Sequence, residues 1–215
     1  MTVALLFING CSGIPTGLKA ELSKLSVKIY CADSGAAHAL RHGFKPDLLI
    51  GDFDSIPDES LSKLRSDPSV RIEEYPADKA KSDLELVAVR ALNSGVSELI
   101  IACGLGGSLD HLFSNILLFA SELFKTMKVT FIDETSRSTI LHGPFEGIID
   151  AKLEGLVSLV PLSKEVGKVF LRGTKWALSG ETLHQGDSRS IRNTATERKI
   201  LLQFESGVLM IHREV

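Results

Sequence analysis

Two aspartates two residues apart, Asp52 and Asp54, follow the apolar run Leu48-Leu49-Ile50 and a glycine, and Ser55-Ile56-Pro57 leads away from them. On an extended backbone such carboxylates lie on one side, and in a loop both can converge on one cation. Alone they fit a polar turn capping a strand equally well. Three further acids decide between these readings. Asp33 ends the run Val27 to Ala32, Asp110 stands beyond Leu99 to Ala102 and a glycine loop, and Asp83 lies in the first turn of a helical stretch. Carboxylates gathered at one edge repel each other unless cations sit among them. Oxygen ligands without Cys or His partners favour Mg²⁺ or Mn²⁺.

Gly104-Leu105-Gly106-Gly107 opens into a helical pattern, which makes backbone N–H groups and a positive helix end available to phosphate. Asp110 and His111 lie one turn in, and Asn115 follows His111 by four residues on the same face. A glycine loop before a helix is a weak signal by itself. Joined to aspartates at strand ends, it points to a Mg-nucleotide or Mg-diphosphate site. Asp47 reads as a turn or capping residue rather than a ligand.

The elements that must position these groups are legible as a pattern. Val3 to Ile8, Val27 to Ala32, Leu48 to Ile50, Val70 to Glu74, Leu99 to Ala102 and Val129 to Ile132 read as strands. Helical patterns alternate with them. Ser82-Asp83-Leu84-Glu85 has the form of a capping box, with Leu84, Val87, Ala88 and Ala91 on one face. The clearest apolar face is Leu109, Leu112, Phe113, Ile116, Leu117 and Ala120. Alternation of this kind implies a mostly parallel sheet flanked by helices, an α/β fold of Rossmann-like type, over residues 1–135. Ligands of such sheets bind beyond the carboxyl ends of the strands. From 136 to 215 the runs are short and turn-separated with no long helical face, which predicts an all-β sandwich or barrel.

Composition sets the outer limits. The chain has 215 residues, 44% hydrophobic and 24% charged, with 24 basic and 27 acidic residues and a net charge of -3. That is a globular profile without a basic footprint for nucleic acid or an anionic membrane. Cys11, Cys31 and Cys103 are widely spaced without a CxxC pair, which argues against disulfides and a zinc cage. The amino terminus lacks a secretory pattern, and no apolar run approaches the roughly 20 residues needed to cross a bilayer. A cytoplasmic location is expected.

Several blocks, in a fixed order, resemble the thiamine pyrophosphokinase family. They are Asp33-Ser34-Gly35 with Gly43-Phe44-Lys45-Pro46-Asp47; Ile50-Gly51-Asp52-Phe53-Asp54-Ser55-Ile56; Asp78-Lys79 with Ser82-Asp83; and Gly106-Gly107 with Leu109-Asp110-His111 and Asn115. The carboxyl-terminal half adds Gly173-Thr174-Lys175-Trp176-Ala177-Leu178 and Ser190-Ile191-Arg192-Asn193-Thr194. The resemblance implies a catalytic, Mg-ATP-binding α/β domain and a thiamine-binding β-sandwich, associated as a homodimer with active sites between subunits. It implies transfer of diphosphate from ATP to the thiamine hydroxyl, releasing AMP. Asp33, Asp52, Asp54, Asp83 and Asp110 would then hold Mg²⁺ and the triphosphate, with Asp54 or Asp83 as the proton acceptor. Ser34, Gly35, Ser82, Gly106, Gly107, His111 and Asn115 would shape the nucleotide site. Lys79, Trp176, Ser190 and Asn193 would serve thiamine.

Three positions depart from the family pattern. Ala80 replaces a second acid, Ser108 replaces an arginine after the paired glycines, and Arg192 replaces a serine before Asn193. Two other readings use the same residues: a diphosphotransferase or hydrolase with another acceptor, and a catalytically silent thiamine- or nucleotide-binding protein.

Overall fold

The structure, a computed structural model, describes residues 2–10 and 13–215. Cys11 and Ser12, in the loop after the first apolar run, lie outside the described residues, as does Met1. The chain forms two compact units, Met1–Asn115 with Phe131–Glu134, and Ile116–Thr130 with Thr135–Val215.

In the first unit, strands β1 (Val3–Phe7), β2 (Val27–Ala32), β3 (Leu48–Gly51), β4 (Arg71–Glu74) and β5 (Glu98–Ala102) are ordered β5-β1-β2-β3-β4. Each adjacent pair is parallel. All five residues of β1 are buried, as the unbroken apolar run Val3 to Phe7 demands of a strand covered on both faces. Helices α1 (Leu18–Leu22), α2 (Gly35–Arg41), α3 (Asp58–Arg65), α4 (Asp83–Asn93) and α5 (Leu109–Phe119) alternate with the strands. One core packs Leu5, Phe7, Cys31 and Leu49 of the sheet with Leu18, Leu22, Ala36, Ala39 and Leu64 of the helices. Ser82 accepts a hydrogen bond from the Glu85 N–H at 3.2 Å and caps α4, whose buried face is Leu84, Val87, Ala88 and Ala91. Burial pushes the Cys31 thiol well above its ordinary pKa, so it behaves as a small apolar group.

Chain order and strand order part company at β1. The chain steps from β1 through β2 and β3 to β4 in one direction, and β5 then pairs with the other side of β1. Loops leaving the carboxyl ends of β1 and β5 therefore run in opposite directions and open a crevice between them.

The second unit is antiparallel. Strands β7 (Ser136–His142), β9 (Leu156–Pro161), β12 (Asn193–Thr194) and β14 (Val208–Glu214) are ordered β12-β9-β14-β7. Strands β8 (Phe145–Asp150), β10 (Glu165–Arg172), β11 (Leu178–His184) and β13 (Lys199–Phe204) form a sheet ordered β11-β10-β13-β8. Leu141, Leu159, Leu209 and Ile211 of one sheet share a core with Val169, Leu171, Ile200 and Leu202 of the other. The segment 116–130 belongs to this unit, and strand β6 (Lys128–Ile132) runs from it into the stretch assigned to the first. The segment contributes the fully buried Phe119 and Phe124, and the carbonyl oxygen of Phe119 meets His142 Nε2 at 2.9 Å.

The α/β and β-sandwich architecture matches the pattern read from the sequence. Two strands add to it. β11 is Leu-Ser-Gly-Glu-Thr-Leu-His, too polar to stand out, and the two-residue β12 is too short for any pattern. The apolar face of α5 is the larger surprise: Leu109, Phe113 and Leu117 are 78%, 59% and 41% exposed. Among the described residues, no helix is long and apolar enough to cross a membrane.

Candidate functional site

A cavity of about 250 Å³ occupies the crevice at the carboxyl ends of β1, β2 and β5. Asn9 and Gly10, Asp33, Ser82 and Asp83, Gly106 to Ser108, and His111 and Asn115 line it. Three residues just past the carboxyl ends of β2, β3 and β5 have left-handed backbones without being glycine: Asp33 (φ 48°), Phe53 (φ 66°) and Cys103 (φ 58°). Each costs on the order of 1–3 kcal/mol, strain that persists only where its surroundings enforce it. The enforcement is visible. The Asp33 N–H donates to the Ile50 carbonyl at 2.8 Å, tying the end of β2 to the end of β3. A Cβ on Gly51 would sit 2.9 Å from Asp33 Cα, so only glycine lets the two backbones approach so closely. Phe53 is buried. Its reversed backbone turns the chain between the two aspartates.

Asp33, Asp52 and Asp54 consequently each bring one carboxylate oxygen within 4.8 Å of the others. Asp33 Oδ2 accepts from the Ser55 hydroxyl, whereas Asp33 Oδ1 is buried with no hydrogen-bond partner. Asp52 Oδ1 accepts from the Asp54 N–H at 3.3 Å. The charge of Asp52 pushes the Asp54 pKa above the ordinary carboxylate value, with burial and Asp33 adding to it and Ser55 opposing it. A clustered, partly orphaned set of hard oxygen donors fits a divalent cation such as Mg²⁺ or Mn²⁺.

Asp83 adjoins this trio through a lysine. Burial pushes its carboxyl upward, Lys79 opposes that, and Asp33 and Asp52 reinforce it. The Lys79 ammonium lies 3.1 Å from Asp83 Oδ1 and 3.6 Å from Asp52 Oδ2, and it donates to the Pro76 carbonyl at 3.2 Å. Burial works against its charge, but Asp83 and Asp52 outweigh it and hold the ammonium above its ordinary range.

The other candidates separate by position. Gly106, Gly107, Ser82, His111 and Asn115 line the cavity with Asp33 and Asp83, while Ser34, Gly35 and Asp110 do not. Ser34 is buried with an unpartnered hydroxyl. Gly35 is where α2 presses on β1, since a Cβ there would fall 2.2 Å from the Phe7 carbonyl oxygen. Asp110 is absent from the three-carboxylate group. The Ser108 hydroxyl and then the His111 N–H hold its carboxyl below the usual range, which suits a residue in the first turn of α5. Asp47 accepts from the Ile29 N–H of β2 at 2.8 Å, a tie between neighbouring strands rather than a turn bond. Asn9 and Gly10 were not among the candidates. They follow β1 as Asp33 follows β2, so the strand-end rule already pointed to them.

A second pocket, about 540 Å³, lies within the second unit. Trp176, Lys175, Arg189, Ser190, Ile191 and Asn193 line it over an apolar floor that includes Leu171 and Leu178. Trp176 is 55% exposed, so it presents a ring to the pocket rather than filling the core. Lys175 Nζ sits 4.7 Å from the centre of that ring, a cation–π contact. The buried Asn193 amide makes three hydrogen bonds to the backbone: Oδ1 accepts from the N–H groups of Trp176 (3.1 Å) and Thr194 (2.8 Å), and Nδ2 donates to the Trp176 carbonyl (2.7 Å). Ser190 donates its hydroxyl to the Leu159 carbonyl at 2.8 Å. Arg192 has a left-handed backbone (φ 56°) and gives its N–H to Ser158 Oγ at 2.9 Å. Its side chain is not in the lining. Besides Lys175, the cation in the lining is Arg189, which lies 3.5 Å from Glu181. Lys79, grouped with the thiamine residues on the sequence, sits beside Asp52 and Asp83 in the first unit.

Comparison with known proteins gives these two sites a common setting. The family model described as thiamin pyrophosphokinase, catalytic domain, matches residues 19–131, and the one described as its vitamin B1 binding domain matches 148–209. A thiamine pyrophosphokinase of Bacillus subtilis is 25% identical over 84% of this chain and 84% of its own. Thiamine pyrophosphokinase 1 of Arabidopsis thaliana is 28% identical over 96% of this chain and 84% of its own. The crystal structure of a Bacillus subtilis thiamine pyrophosphokinase superposes with a TM-score of 0.86 at 22% identity, covering 100% of this chain and 99% of that one, a likeness in fold.

Proposed function

The chain belongs to the thiamin pyrophosphokinase family, enzymes that transfer a diphosphate group, and we propose that it moves the terminal diphosphate of ATP to the hydroxyl of thiamine, giving thiamine diphosphate and AMP. The observation that carries this reading is the pairing of two unlike sites in one chain, a three-carboxylate cluster at a sheet edge and a tryptophan-walled pocket.

Asp33, Asp52 and Asp54 hold Mg²⁺ in this reading. When bound, the ion supplies charge neutralisation for phosphate oxygens, which is most of what phosphoryl-type transfer requires. Gly106 and Gly107 offer backbone N–H groups toward the phosphates, with Ser82, His111 and Asn115 completing the wall. Asp83 lies outside the trio, and burial raises its pKa. Its carboxylate would stay free of an ion held by the trio, which makes it a better proton acceptor for the alcohol than Asp54, a member of the trio. Trp176 stacks on a thiamine ring, Asn193 fixes the segment that presents it, and Ser190 marks the pocket wall. Asp110 acts on the helix start rather than on the ion.

The working form in this reading is a homodimer. The stripe Leu109, Phe113 and Leu117 supports it, because exposed apolar side chains at successive helical turns gain by being covered. The test is direct: incubate the protein with ATP, Mg²⁺ and thiamine, and follow AMP and thiamine diphosphate. Thiamine-dependent AMP is expected. Inorganic products without a phosphorylated acceptor would instead indicate a hydrolase, and tight binding without turnover a silent binding protein.

A further inference from the structure

We propose that Lys79 is an exchangeable counter-charge: its ammonium and a divalent cation are alternative partners for Asp52, and metal entry frees it to hold the transferred diphosphate. The proposal rests on the metal-site reading above and concerns a residue that reading leaves without a task.

Geometry carries the argument. Two carboxylates, Asp52 and Asp83, face the Lys79 ammonium, and the Lys79 side chain is only 14% exposed. Asp52 is shared. One of its oxygens is within the trio's 4.8 Å, while Oδ2 lies 3.6 Å from Lys79. A cation bound by the trio therefore draws on a carboxylate that Lys79 also neutralises. The lysine's hold is loose. At 3.6 Å the contact with Asp52 is electrostatic rather than a hydrogen bond, and the 3.1 Å approach to Asp83 Oδ1 leaves that oxygen without a well-directed hydrogen bond. Lys79 also stands in the irregular segment before α4, fixed locally by its N–H to the Ala77 carbonyl at 3.0 Å. A flexible four-carbon stem on such a segment can swing its charge by several ångströms without disturbing a helix or strand. A polyphosphate at the cavity offers the released ammonium stronger acceptors than it leaves behind.

The experiment uses the full chain, with Lys79→Gln and Lys79→Arg variants. Mn²⁺ is titrated without nucleotide or thiamine, and free Mn²⁺ is read by electron paramagnetic resonance. Lys79→Gln should bind Mn²⁺ more tightly by about three- to tenfold, because a competing charge is gone, while Lys79→Arg stays near the parent. Turnover by Lys79→Gln should fall by about a hundredfold, with the lost charge no longer available to the phosphates. If Lys79→Gln unfolds in the absence of metal, its melting temperature against Mn²⁺ concentration yields the same affinity by linkage. Weaker or unchanged Mn²⁺ binding by Lys79→Gln, with the parent binding Mn²⁺ and turning over thiamine, would overturn this inference alone. Absence of Mn²⁺ binding in parent and variants would overturn the metal-site reading with it.

Discussion

The two pockets are built on opposite principles. In the first unit the polar groups are left wanting: Asp33 Oδ1 and the Ser34 hydroxyl are buried without partners, and the charges of Asp52 and then Asp33 push the Asp54 pKa upward. In the second unit they are satisfied, with the Asn193 amide making three backbone hydrogen bonds and Ser190 bonded to Leu159. An unsatisfied, like-charged cluster suits the cation and phosphate of the proposed reaction. A satisfied, aromatic-walled slot is poised to take up a flat ring with little rearrangement. Strain is distributed accordingly, since left-handed residues stand at three strand ends around the acidic cavity.

The sharpest way to break this comparison is Asp54→Asn. The change keeps shape and removes one charge from a mutually repelling group, so turnover should fall by about a hundred- to a thousandfold while thermal stability holds or rises. Near-normal thiamine diphosphate formation would remove Asp54 from the metal trio. In the other pocket, Asn193→Ala should cost about 2–3 kcal/mol of stability, because buried backbone groups lose their partners, and it should also raise the KM for thiamine. Trp176→Ala should raise that KM by about tenfold or more through lost stacking, with denaturant stability nearly unchanged. Equal destabilisation by both variants would contradict the division between a presented ring and the amide that holds it.

The smallest expected effect is in pH. Asp54 and Asp83 have raised pKa values in the folded chain, so the fold binds more protons than the unfolded chain just above the ordinary carboxylate value of 3.8. Their contribution to stability therefore grows as pH falls into that window. Asp67 has the opposite sign. Hydrogen bonds from Lys45 and then Ser69 hold it down to about 2, so its contribution is present above 3.8 and is lost as pH falls toward 2. Melting temperature against pH, with chelator and then with Mn²⁺, separates them. The metal should flatten the Asp54 and Asp83 part and leave the Asp67 part alone.

The strand ends were legible because a parallel strand covered on both faces is an unbroken apolar run, and the residue that follows it is marked by contrast. Asp33, Asp52 and Asp54 were found in that way, and Asn9 obeys the same logic. Asn193 and Lys79 show what single-chain patterning leaves out. The amide's partners are set by how Trp176 folds back upon it, 17 positions away in the chain, and Lys79 finds Asp52 across a loop. Neither relation has a period. The α5 face reads as buried in sequence because hydrophobic spacing reports that a face is apolar, not which molecule covers it.

The order in which the chain visits its two units has a practical side. The first unit ends at Asn115, resumes at Phe131 and closes at Glu134, while 116–130 belongs to the second. No single stop codon or protease cut can therefore yield both units whole. A fragment ending at residue 135 would carry Phe119 and Phe124 away from His142 and the sandwich. It would also take Thr130 away from Thr139, whose hydroxyl it meets at 3.1 Å. Either half expressed from one cut should aggregate or melt broadly, and dissection of this enzyme calls for a permuted or two-piece gene rather than a truncated one.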